Sequence, residues 1–179
     1  MDEAIKLDNY NYQDYLDIDK STNERVELID GEIFMMAGAS AAHQDTVLNI
    51  ALILKNIAKD KKSTCIPRIA PFDLKLSRAG NINVVQPDVM LFCESSIPCA
   101  IFEVLSNSTA HKDKGVKKEL YERFGIKEYF IVDTTLKIID KYELNNGKYY
   151  YVKGFYIEEL MKINCLDKEI SIKDVFENI

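Results

Sequence analysis

Residues 86–106 read QPDVMLFCESSIPCAIFEVLS, and two short apolar runs inside them each carry one carboxylate. Asp88 stands at the mouth of VMLF and Glu103 in the middle of AIFEVL. A carboxylate in a buried strand is costly unless something pairs with it, so the fold has to bring each acid a partner. Side chains alternate along a strand, which puts Ile101, Glu103 and Leu105 on one face and Phe102 and Val104 on the other. Asp88 follows Pro87, whose fixed φ and missing N–H mark a strand end. Short connections favour neighbouring strands, and neighbours would make the two acids converge. Converging carboxylates repel, and a cation relieves the repulsion.

That cation is either a lysine or a metal. In VKKELYERF, Lys117 borders the stripe Val116, Leu120 and Phe124, shares a face with Tyr121 one helical turn on, and can reach inward, while Lys118 points further toward solvent. A buried Glu103–Lys117 salt bridge without chemistry is one outcome. A divalent metal is the other, since Mg²⁺ is commonly held by one or two carboxylates together with waters and substrate phosphates.

The bulk properties narrow the classes. The chain has 179 residues, 47% hydrophobic and 29% charged, which is ordinary for one soluble domain spanning 1–179. No apolar run approaches the ~20 residues of a membrane span, so the expectation is a cytoplasmic protein with no membrane partner. The four cysteines lack CxxC or Cys/His spacing and read as reduced core thiols, not zinc ligands or disulfides. A net charge of -6 and a pI near 5.0 argue against nonspecific coating of nucleic acid. They leave room for a local basic site: Lys55, Lys59, Lys61, Lys62 and Arg68 form one cluster, and Lys112, Lys114, Lys117 and Lys118 another. Solvated faces or helix C-terminal charges explain both clusters as well.

Along the chain, a short amphipathic helix is expected over Tyr12 to Ile18, and a hairpin about Asp30-Gly31. Ser40 caps a long helix to about Lys59, with Val47, Ile50, Ala51, Leu54, Ile57 and Ala58 on one face. Strands are expected over 64–66, 70–76, 84–93 with a break at Pro87, and 100–105. KDKGVKKELYERFG reads as a helix with Asp113 near its start and Gly125 after its end. EYFIVD is a buried strand, a second hairpin turns at Asn146-Gly147, and KDVFEN closes as a short helix. This order indicates a mixed sheet with helices packed on it, α/β or α+β.

The motifs then line up with a known family. Pro87-Asp88, an acid within a second strand and a following lysine resemble the PD-(D/E)XK nuclease superfamily. The blocks VELIDGEI, MAG-S-HQ, PFDLKL, VQPDVML and FEVLSNSTAHKDKGVKKELYERFGIKEYFIVD resemble its Uma-two (Uma2) branch, over roughly Tyr12 to Tyr151. The resemblance implies a restriction-endonuclease-like mixed β-sheet flanked by helices and an endonuclease that uses Mg²⁺ (or Mn²⁺) to hydrolyse phosphodiester bonds, with DNA as partner. Asp88 matches the first acid and Glu103 the second; with the backbone carbonyl of Val104 they would hold the metal. The usual lysine slot, two residues after the second acid, is Leu105, a departure from the bare pattern. In this branch the lysine comes from the following helix, and the match falls on Lys117.

The same resemblance suggests accessory groups. Glu27 matches an acid that related nucleases use as an extra metal or water-positioning group, though a surface strand charge fits it equally. His43 and Gln44 match the HQ pair, where a structural hydrogen-bonder is the alternative. Asp73 either lines the cleft or is an exposed strand residue. Ser106, Asn107, Thr109 and Tyr121 could contact phosphate oxygens, or could be a loop, a cap and a core-edge aromatic. Lys55 to Lys62 is the expected DNA-backbone contact. A homodimer would follow the habit of such folds to cut two strands as pairs. Two other functions stay open: a non-catalytic nucleic-acid- or protein-binding module keeping the fold, and a metal-free hydrolase working with two carboxylates, against which the lysine and the lack of tryptophan count.

Overall fold

The computed structural model describes residues 9–36, 38–106 and 115–179. In chain order it forms α1 (Tyr12–Ser21), β1 (Val26–Ile29), β2 (Glu32–Met35), α2 (Ala41–Asp60), β3 (Ile66–Ile69), β4 (Leu74–Arg78), β5 (Asn81–Val85) and β6 (Val89–Phe92). It continues through β7 (Ala100–Val104), α3 (Val116–Arg123), β8 (Glu128–Asp133), β9 (Ile138–Asn145), β10 (Lys148–Phe155), β11 (Leu160–Ile163), a 3₁₀ turn (Asn164–Leu166), β12 (Lys168–Ser171) and α4 (Ile172–Val175). The chain divides into two compact units, Met1–Ala37 with Asp73–Gln86, and Gly38–Phe72 with Pro87–Ile179.

The smaller unit is an antiparallel sheet in the order β2-β1-β5-β4 with α1 on it. Asp30 and Gly31 both take positive φ, 49° and 83°, as a tight two-residue hairpin turn demands, and pair Ile29 with Glu32. Asn11 caps α1 through a reciprocal box with Asp14, and Tyr15 packs with Val26, Leu28 and Val84. A Cβ at Gly31 would lie 3.2 Å from Asn9 Oδ1. Gly31→Ala is therefore expected to destabilise the protein by about 1–2 kcal/mol, read from urea unfolding midpoints.

The larger unit carries a six-stranded mixed sheet in the order β10-β9-β8-β7-β6-β3. Only the β7–β8 pair within it is parallel, and the chain makes that crossover through α3. Ser40 Oγ accepts the His43 N–H and starts α2, whose stripe Val47, Ile50, Leu54 and Ala58 packs on Val89, Leu91, Phe102, Val104, Phe130 and Val132. Ile172, Val175 and Phe176 join the same core. Phe102 and Val104 thus face α2, which leaves the other face of β7, with Ile101 and Glu103, to α3.

Several expectations change here. The buried line of α3 is Lys117, Leu120 and Tyr121, while Val116 is 39% exposed. The apolar stripe expected from the sequence is turned because the aliphatic stem of Lys117 and the ring of Tyr121 bury well once their polar ends reach Glu103. β3 lies at Ile66–Ile69, and 70–73 stays outside the strands, where Pro71 offers no N–H to a ladder. The β11–β12 hairpin is additional.

The cysteines also differ from expectation, since Cys65 and Cys93 form a disulfide. β3 and β6 pair antiparallel with Ile66 opposite Phe92, so the next positions outward, Cys65 and Cys93, meet with Cα atoms 4.2 Å apart. A separation of 28 residues hides this from any spacing rule. Cys99 and Cys165 are free thiols.

Candidate active site

The register of β6 and β7 builds the site. Val89 pairs with Phe102 and Met90 with Ile101, so one step further sets Asp88 beside Glu103, and the Asp88 N–H points at Glu103 Oε2 from 3.4 Å. Asp88 Oδ2 accepts the Val104 N–H at 2.8 Å and lies 3.2 Å from His43 Nε2. Asp88 Oδ1 accepts no hydrogen bond from the described residues. Glu103 Oε1 accepts from Lys117 Nζ at 3.1 Å and from the Tyr121 hydroxyl at 2.7 Å.

Local structure places each group. Lys117 and Tyr121 lie four residues apart on α3 and so project side by side onto the β7 face that carries Glu103. His43 occupies the first turn of α2, whose positive N-terminal end favours a nearby anion. The Tyr121 ring packs edge-on against Tyr129, with centroids 5.3 Å apart. Asp88, Glu103 and Lys117 are 8%, 2% and 3% exposed, so their charges act on one another with little solvent screening.

Among the described residues, no three His, Cys, Asp or Glu side chains form a ready-made metal cage. Two carboxylates and a backbone carbonyl are nevertheless the hard oxygen donors that Mg²⁺ or Mn²⁺ takes, and Mg²⁺ commonly retains waters beside one or two carboxylates. The open Asp88 Oδ1 fits such an ion, while Glu103 Oε1 is engaged by Lys117 and Tyr121.

The remaining residues singled out from the sequence are distributed as follows. Gln44 is exposed and joins the helix cap only through its backbone N–H to Ser40 O, so it is not gathered with His43 around Asp88. Ser106 is half-buried just beyond β7. Asn107, Thr109, Lys112, Asp113 and Lys114 lie outside the described residues. Glu27 and Asp73 belong to the smaller unit. Glu27 is fully buried and accepts the Gln86 N–H at 2.9 Å, which rules out a surface strand charge. Asp73 is exposed and accepts from Gln86 Nε2 at 2.9 Å and from the Tyr15 hydroxyl at 3.2 Å. Burial, and then the Asp73 charge, push the Tyr15 phenol well above its ordinary range. The sequence reading passed over Gln86, whose one signal was its place directly before Pro87-Asp88.

Lys55, Lys59, Lys61, Lys62 and Arg68 are all exposed. Lys61 donates to Asp167 O, and Arg68 sits 4.8 Å from the centre of the Phe72 ring. Among the described residues, no helix is long and apolar enough to cross a membrane.

The mixed sheet flanked by helices is a nuclease-like α+β fold. Residues 12–170 match the Uma2 family, described as "Putative restriction endonuclease", and the chain belongs to that family. An uncharacterized protein of Synechocystis sp. is 24% identical over 177 residues, covering 93% of this chain and 91% of its own. Another from the same organism is 30% identical over 142 residues, covering 73% and 78%. A crystal structure from Anabaena variabilis, of a protein described as "a putative nuclease", superposes with a TM-score of 0.69 at 15% identity, covering 87% of this chain and 91% of that one. At that identity it establishes the shared fold.

Proposed function

We propose that this chain is a metal-dependent endonuclease that hydrolyses phosphodiester bonds in DNA. The observation that carries the reading is the pair Asp88 and Glu103, buried on neighbouring strands with Lys117 Nζ 3.1 Å from Glu103. Family membership and the nuclease-like fold support it.

Asp88, Glu103 and the Val104 carbonyl would hold Mg²⁺ or Mn²⁺, which when bound supplies Lewis-acid polarisation of a phosphoryl oxygen and a lower pKa for water. The chain's own groups do the rest. The Val104 N–H and His43 both hold Asp88 through Oδ2, and Oδ1 would serve as the ligand. Tyr121 locks the rotamer of Glu103 through its hydroxyl. Lys117, held with its cationic Nζ 3.1 Å from Glu103 Oε1, would orient the attacking water and offset the charge that develops on the phosphoryl oxygens. Holding these groups in place before the substrate arrives removes reorganisation from the barrier. Lys55 to Lys62 would contact the DNA backbone, and a homodimer would bring two such sites to two strands.

A second reading has one observation in its favour. Glu103 already has a cation and a hydroxyl on Oε1, as a purely structural ion pair would, and the fold would then serve as a binding module. Thermal melting separates the two. Free Mn²⁺ at 100 times its Kd is expected to stabilise the protein by about 2.7 kcal/mol, with the gain reversed by EDTA. A melting curve unmoved by Mn²⁺ or Mg²⁺ over the millimolar range would favour the binding module.

A further inference from the structure

All four cysteines of the chain meet outside the acidic site. Cys65 and Cys93 are bonded, Cys99 Sγ lies 3.5 Å from Cys93 Sγ, and Cys99 is hydrogen-bonded to Cys165. They come from four separate places: the approach to β3, the end of β6, the start of β7 and the 3₁₀ turn. We propose that these residues form a thiol–disulfide exchange site in which Cys99 displaces Cys65 from Cys93, and whose external substrates are small disulfides and thiols of the glutathione class.

The geometry supplies the nucleophile and the bond it attacks. A separation of 3.5 Å is the approach distance of reacting atoms in a near-attack arrangement. A disulfide with a free thiol in reach is one that can isomerise through thiolate attack. In its neutral form the Cys99 thiol donates to Leu91 O at 3.3 Å. The hydrogen bond from Cys165 favours the thiolate and holds Cys99 below the ordinary thiol range, against burial and the charge of Glu128, with Lys127 assisting. The same bond, followed by burial, holds Cys165 protonated as its donor. Cys93, Cys99 and Cys165 are only half-buried, while Cys65 is 8% exposed, so small reagents meet the cluster from the side of Cys93, Cys99 and Cys165.

The step balances without an outside oxidant. The Cys99 thiolate attacks Cys93 Sγ, a Cys93–Cys99 bond forms, and the Cys65–Cys93 bond breaks. The electron pair leaves on Cys65 Sγ, which takes up a proton equivalent to the one Cys99 gave up. The Cys65 thiolate can then attack a small disulfide, giving a mixed disulfide on Cys65 and releasing one small thiolate. The exchange moves the covalent tie from edge strand β3 into the β6–β7 connection, because Cys93 and Cys99 flank the ends of that antiparallel pair.

This proposal does not rest on the nuclease reading. The test incubates the native full chain with oxidised glutathione, blocks remaining thiols with N-ethylmaleimide under denaturing conditions, and maps linked peptides by mass spectrometry without reduction. The expected result is a Cys93–Cys99 linked peptide with one glutathione on Cys65, and no glutathione on Cys65 in Cys99→Ala. Cys65→Ser leaves Cys99 untouched and is expected to form the Cys93–Cys99 bond under the same treatment. A wild-type protein that keeps only the Cys65–Cys93 link, or a folded Cys65→Ser that never links Cys93 to Cys99, overturns the proposal. Recovery of all four cysteines as free thiols from the untreated protein overturns it as well.

Discussion

Replacing Lys117 with methionine is expected to lower the free energy of unfolding by about 3–5 kcal/mol, because it breaks a buried ion pair by removing the cation 3.1 Å from the Glu103 carboxylate. Glu103 is 2% exposed, so little solvent is at hand to screen the charge that Lys117 balances from 3.1 Å. The methionine fills most of the volume of the lysine stem, so the loss reports charge and not a cavity. Glu103→Gln alone is destabilising for the mirror reason, since Lys117 then lies buried beside a neutral amide. The double variant should recover much of the loss, and a urea-unfolding cycle should give a coupling energy of about 1–3 kcal/mol. Additive losses would mean that the two groups do not hold each other in the folded protein.

The second large effect is on chemistry. Asp88→Asn keeps an oxygen that can accept the Val104 N–H but removes the negative charge that draws a divalent cation to the open side of the carboxylate. Metal-dependent hydrolysis of a labelled duplex under single turnover is expected to fall at least about 10²-fold, as for other losses of preorganised charge stabilisation. Stability should change by less than about 1.5 kcal/mol, because one hydrogen bond is altered and none of the core is opened. A folded Asp88→Asn protein that hydrolyses DNA at the parental rate would remove Asp88 from the metal site.

Much of this arrangement is legible in the sequence because it depends on local rules. Asp30-Gly31 and Asn146-Gly147 state their hairpins, and both pairs take the positive φ angles those turns need. Pro87 divides the run 84–93 into β5 and β6, and the period of two along AIFEV separates Glu103 from Phe102 and Val104. The convergence of Asp88 and Glu103 follows from a short connection between neighbouring strands.

What was not legible depends on register and rotation. Nothing local says that Ile66 faces Phe92, so the Cys65–Cys93 bond is invisible until β3 finds β6. The rotation of α3 is decided by the polar ends of Lys117 and Tyr121 finding Glu103, which counting apolar residues cannot detect. Glu27 reads as a strand charge with either face available, and the backbone N–H of Gln86 that donates to it lies 59 residues away in the chain.

The most direct measurement is plasmid nicking by the purified protein in Mn²⁺, Mg²⁺ or EDTA, run beside Glu103→Gln whose folding is verified by circular dichroism. The expected result is conversion of supercoiled to open-circular DNA with Mn²⁺ or Mg²⁺, none in EDTA, and none with the folded Glu103→Gln protein. Nicking that persists in EDTA or in that variant, or a parent protein that leaves the plasmid intact with either metal, would contradict a metal-dependent nuclease built on Asp88 and Glu103.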